Sequence, residues 1–187
     1  QMEAVAPLLG RLTQALAGRD EMIQAVHGPL AGGDVFFAEM LAMHRELHAA
    51  GNDLPRLPLL LQRSDFMVDA VDGARLVECN SIAAGMAPFG ERAHLLHRYI
   101  ASRWPAEFAR YHTAAPGAQL PNPATARLAE AMAAAARQLA QELGSGPVDP
   151  GFLMVVQEDE DNLFDQRLLE RQLQALGLRT YRRIFRQ

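Results

Sequence analysis

Strand-like and helical segments alternate near the end of the chain, and few folds accommodate that order. Residues 152–157 are a short apolar run typical of a buried strand, residues 165–176 have helical periodicity, and residues 178–185 are strand-like again. Gly177 is placed to end the helix, because glycine adopts the left-handed backbone that often follows a helix. This order predicts a βαβ unit with two parallel strands. Since two parallel strands have little to pack on, we expect the chain to be incomplete.

A hairpin signal lies in the middle of the chain. Residues 66–71 and 74–80 are strand-like runs separated by Asp72-Gly73, a pair that favours a two-residue turn because glycine tolerates positive φ. With that turn, Asp65 would lie opposite Asn80. Glu78 and Asn80 would share one face of the second strand, since alternate residues do.

The hairpin would bring two carboxylates, Asp65 and Glu78, together with the Asn80 amide. Oxygen ligands of this kind suit Mg²⁺, although the same residues could form an exposed polar strand end. Arg63 precedes the predicted hairpin, where its guanidinium could hold a substrate carboxylate with two parallel hydrogen bonds. A solvated surface arginine is the alternative interpretation of Arg63.

The other segments are predicted to be mainly helical. Apolar stripes at steps of three and four predict helices in the first fifty residues, where Asp34 is placed to cap one and Gly51 to stop it. Residues 88–112 return to helix with a break at Pro105, and residues 128–143 form an Ala-rich helix. We therefore predict an α/β fold in which residues 1–147 form a helical region with a hairpin. Residues 148–187 would begin a βαβ domain.

Charge and composition exclude several functional classes. The net charge of −4 argues against a basic nucleic-acid binder. All 18 cationic residues are arginine, so a P-loop, which requires a lysine, cannot be complete. No stretch is apolar enough for a bilayer span, and no G-x-S-x-G motif of a serine hydrolase occurs. The single cysteine, Cys79, fits a reducing cytoplasm, and we expect neither nucleic acid nor membrane as a partner.

Three further groups have both a functional and a structural interpretation. Residues 157–167 follow a predicted strand, where α/β sheets bind ligands, although their acids could equally complement a helix N-terminus. His44 and His48 are four apart and could share a metal, but a zincin requires glutamate directly after the first histidine, and this chain has Arg45. Residues 179–186 are rich in arginine and are interpreted as one solvated or cleft-facing strand side.

Three motifs in register resemble the eukaryotic-type glutathione synthetases. They are Arg63-Ser-Asp-Phe-Met67, Val77-Glu-Cys-Asn-Ser-Ile-Ala-Ala84, and Gln157-Glu158 through Asn162-Leu-Phe-Asp-Gln-Arg167. Members of this family are ATP-grasp ligases that join γ-glutamylcysteine to glycine through an acyl phosphate, with Mg²⁺ and ATP, and they are usually homodimers. The resemblance implies that this chain is the N-terminal portion of such a ligase, holds the start of its substrate-binding domain and is inactive alone.

The resemblance also assigns roles to single residues. It implies that Glu78 and Asn80 hold magnesium and that Glu78 also approaches ATP. The positions that bind γ-glutamylcysteine in the family correspond here to Arg63, Ile82, Ala83, Ala84, Gly85, Glu160, Asn162 and Gln166. Acyl phosphate chemistry needs a cation to offset phosphoryl charge and fixed donors for the substrate carboxylate, which agrees with these residue types.

Three positions depart from the family pattern. Ala83 and Gly85 stand where the family usually has serines, and Asp161 stands where it tends to have arginine. The lysines and glycine-rich lid of an ATP-grasp enzyme are also absent from these 187 residues. A non-catalytic binding module that keeps the fold without the nucleotide-binding half is therefore the alternative interpretation.

Overall fold

The computed structural model describes residues 2–50, 57–82, 84–111, 121–144 and 149–185. They form a mixed α/β structure, which confirms the predicted class. The elements in chain order are α1 (Met2–Ala17), α2 (Asp20–His27), a short 3-10 helix (Gly28–Gly32), α3 (Val35–Ala49), β1 (Arg63–Asp69), β2 (Gly73–Asn80), α4 (Ala87–Arg103), α5 (Pro105–Tyr111), α6 (Ala124–Glu142), β3 (Gly151–Val156), α7 (Leu163–Ala175) and β4 (Arg179–Ile184). The chain divides into two compact units, Gln1–Ala83 and Ala84–Gln187.

The first unit begins with the predicted helices. Asp34 caps α3 as expected, because its side-chain Oδ1 accepts a hydrogen bond from the backbone N–H of Phe36 at 2.8 Å. Leu41 on α3 is buried, and Gln62 ties the segment before β1 to α1 by donating to the Thr13 hydroxyl at 3.0 Å. The predicted helix stop at Gly51 lies outside the described residues.

The hairpin has the predicted antiparallel pairing but not the predicted turn. Residues 70–72 connect Asp69 to Gly73, so the expectation of a two-residue turn at Asp72-Gly73 was wrong. The reason is the Asp69 side chain, whose Oδ1 accepts hydrogen bonds from the backbone N–H groups of Val71 at 2.8 Å and Asp72 at 2.9 Å. Gly73 then takes the left-handed conformation, with φ of +75°.

This longer turn changes the register of the hairpin. Asp65 lies opposite Glu78 and Arg63 lies opposite Asn80, so the expected pairing of Asp65 with Asn80 was also wrong. A bulge at Val77, where the register shifts, makes the net displacement at Asp65 two residues. Because side chains alternate with a period of two, the predicted polar face is kept.

The second unit contains the predicted βαβ unit. Strands β3 and β4 are parallel, paired from Gly151 with Arg179 to Val156 with Ile184, and α7 connects them. Helix α7 ends as predicted at Gly177, with φ of +85°. The N–H of Gly177 bonds the Gln174 carbonyl at 2.9 Å, and the N–H of Leu178 bonds the Leu173 carbonyl at 3.1 Å. These two bonds form a Schellman motif that directs the chain from α7 into β4.

Helix α6 packs against α7, and together they carry the core of the second unit. Ala129 and Ala133 of α6 are buried with Leu173 and Leu178 in one apolar cluster. The boundary expected at residues 147/148 separates α6 from α7, whereas the structure joins them because small alanines let the two helices approach closely. That residues 148–187 belong to a substrate-binding domain stays a prediction.

The break between α4 and α5 falls where it was predicted. Helix α4 ends at Arg103, and Pro105 begins α5, a first-turn position where the missing N–H has no cost. No helix within the described residues combines the length and apolar character needed to cross a membrane.

Candidate functional site

Four side chains on one face of the hairpin form a hydrogen-bonded cluster. Arg63 donates from Nε to Asp65 Oδ1 at 2.8 Å and from Nη2 to Asp65 Oδ2 at 3.0 Å, a bidentate pair. Asn80 donates from Nδ2 to Asp65 Oδ2 at 3.2 Å and to Glu78 Oε1 at 3.0 Å. We call Arg63, Asp65, Glu78 and Asn80 the hairpin cluster. The predicted grouping of two carboxylates with an amide is confirmed, and Arg63 joins it.

One guanidinium, that of Arg63, interacts with both carboxylates of the hairpin cluster. The Arg63 guanidinium lowers the pKa of the Asp65 carboxyl below its ordinary value of 3.8, and the Asn80 amide adds a smaller contribution. The same contact raises the pKa of Arg63. The guanidinium bonds Asp65 directly and interacts electrostatically with Glu78, which also accepts from the Asn80 amide.

The donor atoms of the hairpin cluster suit a hard cation. Asn80 uses Nδ2 for both carboxylates, which leaves its Oδ1 outside those bonds, and Glu78 has a second oxygen, Oε2. Among the described residues, no group of three or more His, Cys, Asp and Glu side chains could hold a metal ion. Mg²⁺ commonly takes one or two carboxylates and completes its shell with water and phosphate, so Glu78 and Asn80 fit it.

The second group of predicted residues lies where β3 leads into α7. Glu160 Oε1 accepts from the backbone N–H of Asn162 at 3.2 Å. The Gln166 side chain is the main reason that the pKa of the Glu160 carboxyl is lowered. The positive charge of Arg182 contributes less. The backbone N–H of Gln166 donates to the Asn162 carbonyl at 3.2 Å. The structure thus brings Glu160, Asn162 and Gln166 together, and we call them the loop group.

Arg182 on β4 contacts the loop group through Gln166. Its Nη1 donates to Gln166 Oε1 at 2.9 Å and its Nε donates to Glu170 Oε1 at 3.1 Å. Glu170 on α7 is buried and also accepts from Arg167 at 2.8 Å. Only 17% of the Arg182 side chain is exposed. The Arg-rich strand was interpreted as a solvated or cleft-facing side, and Arg182 instead pairs with a buried acid.

Asp165 is a residue that sequence reasoning passed over. Its carboxylate is buried and accepts from the backbone N–H of Met86 at 3.1 Å and of Phe89 at 3.3 Å. It therefore caps α4 from outside that helix. No local sequence motif predicts this cap, because the capping residue is distant in the chain. Gly85 lies beside it: a Cβ on Gly85 would stand 3.4 Å from Asn162 Nδ2 and 3.6 Å from Asp165 Oδ2.

The remaining predicted positions are distributed along the 81–86 segment. Ile82 belongs to the first unit and is 90% exposed, and Ala83 lies outside the described residues. Ala84 is half-buried in the second unit, where Gly85 lies close enough to Asn162 of the loop group that an added Cβ would touch it. Asp161, one of the departures from the family pattern, is exposed.

The structure gives no support to a metal site at His44 and His48. His44 bonds Asp20 at 3.2 Å, and the side chain of His48 lies outside the description. The described part of the chain contains no group of three His, Cys, Asp or Glu side chains that could hold a metal ion. We therefore base no metal site on these histidines.

Comparison with known proteins identifies the family of the chain. A family model described as "Eukaryotic glutathione synthase, ATP binding domain" matches residues 1–175. Glutathione synthetase of Homo sapiens is 30% identical over 156 residues, covering 81% of this chain and 30% of that protein, and the Macaca fascicularis protein matches to the same extent. The chloroplastic glutathione synthetase of Solanum lycopersicum is 26% identical over 170 residues, which cover 90% of this chain and 29% of that protein.

The chain thus spans about 30% of the length of these relatives. The family match extends over both compact units described above. The chain belongs to the eukaryotic glutathione synthase family.

Proposed function

We propose that this chain is part of an ATP-dependent ligase that joins γ-glutamylcysteine to glycine to make glutathione. The observation that carries the proposal is the convergence of Gly85 and the loop group at the start of α7, in a chain of this family. That position follows the carboxyl end of a strand in a βαβ unit, where α/β folds bind ligands.

The loop group offers one negative charge and one neutral hydrogen-bond donor to a zwitterionic amino-acid end. The Glu160 carboxylate accepts hydrogen bonds and carries negative charge, which suits a substrate ammonium. Gln166 directs its amide nitrogen toward Glu160, and the second hydrogen of that nitrogen can serve a neighbouring acceptor. The γ-glutamyl residue carries an ammonium and a carboxylate on one carbon, so one such end would satisfy both side chains.

The hairpin cluster would serve the metal and a substrate carboxylate. Glu78 and Asn80 would hold Mg²⁺, with Glu78 also approaching ATP, and the ion would offset negative charge on the transferring phosphoryl group. Arg63 uses Nε and Nη2 for Asp65, so its Nη1 remains for a substrate carboxylate. Asp65 would hold the guanidinium plane in place.

The reaction would transfer a phosphoryl group from ATP to the cysteinyl carboxylate of the dipeptide. The glycine amine would attack the resulting acyl phosphate, releasing phosphate and forming the amide bond. The described residues would bind and orient the dipeptide for these steps, since positioning supplies a large share of rate enhancement in such transfers.

Isothermal titration of the purified chain with γ-glutamylcysteine tests the proposal. We expect binding that weakens about tenfold in Gln166→Ala and in Arg63→Ala, because each loses a hydrogen bond to a charged group. Matched controls are Gln138→Ala on α6 and Arg75→Ala, whose side chain pairs with Asp72 at the hairpin turn. Wild-type protein that binds no γ-glutamylcysteine would contradict the substrate assignment.

A second measurement addresses the metal and the chemistry. Mn²⁺ is a usable stand-in for Mg²⁺ because both prefer oxygen ligands. Its binding, followed by water relaxation, should weaken in Glu78→Gln and Asn80→Ala and not in Glu46→Gln on α3. We expect no ATP-dependent phosphate release from this chain alone, so release by the isolated 187 residues would refute the proposed dependence on further segments.

The binding module remains the alternative function, favoured by Ala83, Gly85 and Asp161 in place of the family's usual residues. A native protein near 20.5 kDa that binds the dipeptide but releases no phosphate would support it. We also propose a homodimer in the cytoplasm, the state that the family resemblance implies. Sedimentation and cell fractionation would test those two points.

A further inference from the structure

We propose that Arg182 is a positioning residue that fixes the amide orientation of Gln166 and thereby selects what the loop group recognises. This inference rests on the proposed function and extends it to a residue outside the predicted set. Arg182 itself contacts Gln166, Glu170 and the Met154 sulfur.

The contact between Arg182 and Gln166 admits one orientation of the glutamine amide. A glutamine amide can present either its oxygen or its nitrogen in a given direction, and the two orientations differ little in shape. Arginine carries only donors, so the Arg182 Nη1 at 2.9 Å requires the Gln166 oxygen on its side. With its oxygen bonded to Arg182, Gln166 presents its nitrogen on the other side, and the Gln166 side chain is the main cause of the lowered pKa of the Glu160 carboxyl. Arg182 therefore holds Gln166 in the orientation in which its amide nitrogen is the donor toward Glu160 and any ligand beside it, the same orientation that the Glu160 carboxylate favours.

Arg182 is itself fixed by the protein. Its Nε donates to Glu170, which is 3% exposed and lies on the same helix as Gln166. A planar guanidinium that bonds two acceptors through different nitrogens cannot rotate without losing one of them. The orientation of Gln166 is thus imposed from the buried side of β4 and α7.

The consequence for recognition is a defined pattern of one acceptor and one donor. Glu160 accepts and Gln166 donates, which matches the ammonium and carboxylate of an α-amino-acid end. If Gln166 turned its oxygen toward Glu160, the pair would present two acceptors and would repel a carboxylate. The α-carboxylate of the γ-glutamyl residue is therefore the part of the substrate that depends on Arg182.

A double-mutant cycle on binding of γ-glutamylcysteine tests this mechanism. We expect Arg182→Met and Gln166→Ala each to raise the dissociation constant about tenfold, and the double variant to lose little more than either single variant. Losses that multiply would overturn the inference, because they would show that Arg182 does not act through Gln166. Arg179→Met is the matched control, since Arg179 is an exposed arginine on the same strand.

Arg182→Lys separates positioning from folding. Lysine keeps a positive charge beside Glu170 but lacks the fork that reaches Gln166 at the same time. We expect a melting temperature near that of the wild type and a dissociation constant close to that of Arg182→Met. Wild-type affinity in Arg182→Lys would overturn the inference.

The ligand 4-aminobutanoylcysteine lacks the α-carboxylate. Comparing its affinity with that of γ-glutamylcysteine separates a positioning role of Arg182 from a merely structural one, which would weaken both ligands equally. The affinity of 4-aminobutanoylcysteine should be nearly equal in wild type and Arg182→Lys, while that of γ-glutamylcysteine differs about tenfold. Equal losses for both ligands would contradict the inference. Absence of γ-glutamylcysteine binding by the wild type would instead remove the proposed function itself.

Discussion

The carboxylate of Asp165 accepts a hydrogen bond at 3.1 Å from the backbone N–H of Met86, 79 positions earlier in the chain. The same carboxylate accepts from the N–H of Phe89 in the first turn of α4. A negative charge at this end of a helix is favourable because the first N–H groups have no partners within the helix. Asp165 thus fixes the segment beside Gly85 to the first turn of α7, next to the loop group.

Replacement of Asp165 by alanine should destabilise the protein by about 2 kcal/mol. The change leaves the partly buried N–H groups of Met86 and Phe89 without their acceptor. Urea unfolding measures the effect. Asp161→Ala is the control, because that carboxylate is exposed in the same loop and should change stability by less than about 0.5 kcal/mol. Similar losses in the two variants would contradict the capping role.

The buried acid Glu170 should contribute more to stability than Arg167, one of the two arginines that bond it. Glu170→Ala removes a buried acid and leaves the largely buried Arg182 without an ionic partner, so we expect a loss of about 3 kcal/mol. Arg167→Ala should lose only about 0.5 kcal/mol, because 56% of the Arg167 side chain is exposed to water. Thermal and urea unfolding of both variants would check this order. A larger effect of Arg167→Ala would show that the burial of Arg182 is not decisive.

The stability contributed by Asp65 should depend on pH in a defined direction. Its pKa in the folded protein lies below the ordinary value of 3.8, chiefly because of Arg63. The folded state therefore binds fewer protons than the unfolded state between those two values. The contribution is complete above about pH 5 and is lost as the pH falls through the lowered pKa.

Asp65→Asn tests this dependence. The difference in the free energy of unfolding between wild type and Asp65→Asn should be constant from pH 5 to 7 and should shrink on acidification. Glu46→Gln, an exposed change on α3, serves as the control. A difference that grows toward low pH would reverse the assigned sign.

Replacement by alanine should lower the stability of the protein at Gly73 but hardly change it at Gly85. Gly73→Ala should cost about 1 kcal/mol, because φ of +75° is unfavourable for any side chain with a Cβ. Gly85→Ala should change stability by less than about 0.5 kcal/mol, since its Cβ would meet Asn162 and Asp165 at ordinary contact distances. Urea unfolding of both variants is the measurement. A large loss in Gly85→Ala would mean that the loop cannot accept the side chain that the family usually has there.

The loop group could be predicted from the sequence only in part. Residues 157–167 were recognised as a strand-to-helix loop of polar residues, and the resemblance singled out Glu160, Asn162 and Gln166. No sequence pattern indicated that Arg182 and Glu170 support this group. The two residues are 12 positions apart, and their bond depends on how β4 lies against α7. Without such knowledge, a charged residue on a strand is predicted to be exposed to solvent.

Local pattern alone determined the βαβ unit, the hairpin, the cap at Asp34 and the helix end at Gly177. Each depends on neighbouring residues, whose periodicity and backbone preferences act before any distant contact forms. The hairpin register depended on two further local features, the hydrogen bonds of Asp69 within the turn and the bulge at Val77. Tertiary structure decided the contacts between distant segments, in which packing brought Asp165 to α4 and Arg182 to Gln166. Such contacts follow from which distant groups meet in the folded core, where a buried polar group must find a partner wherever the fold provides one.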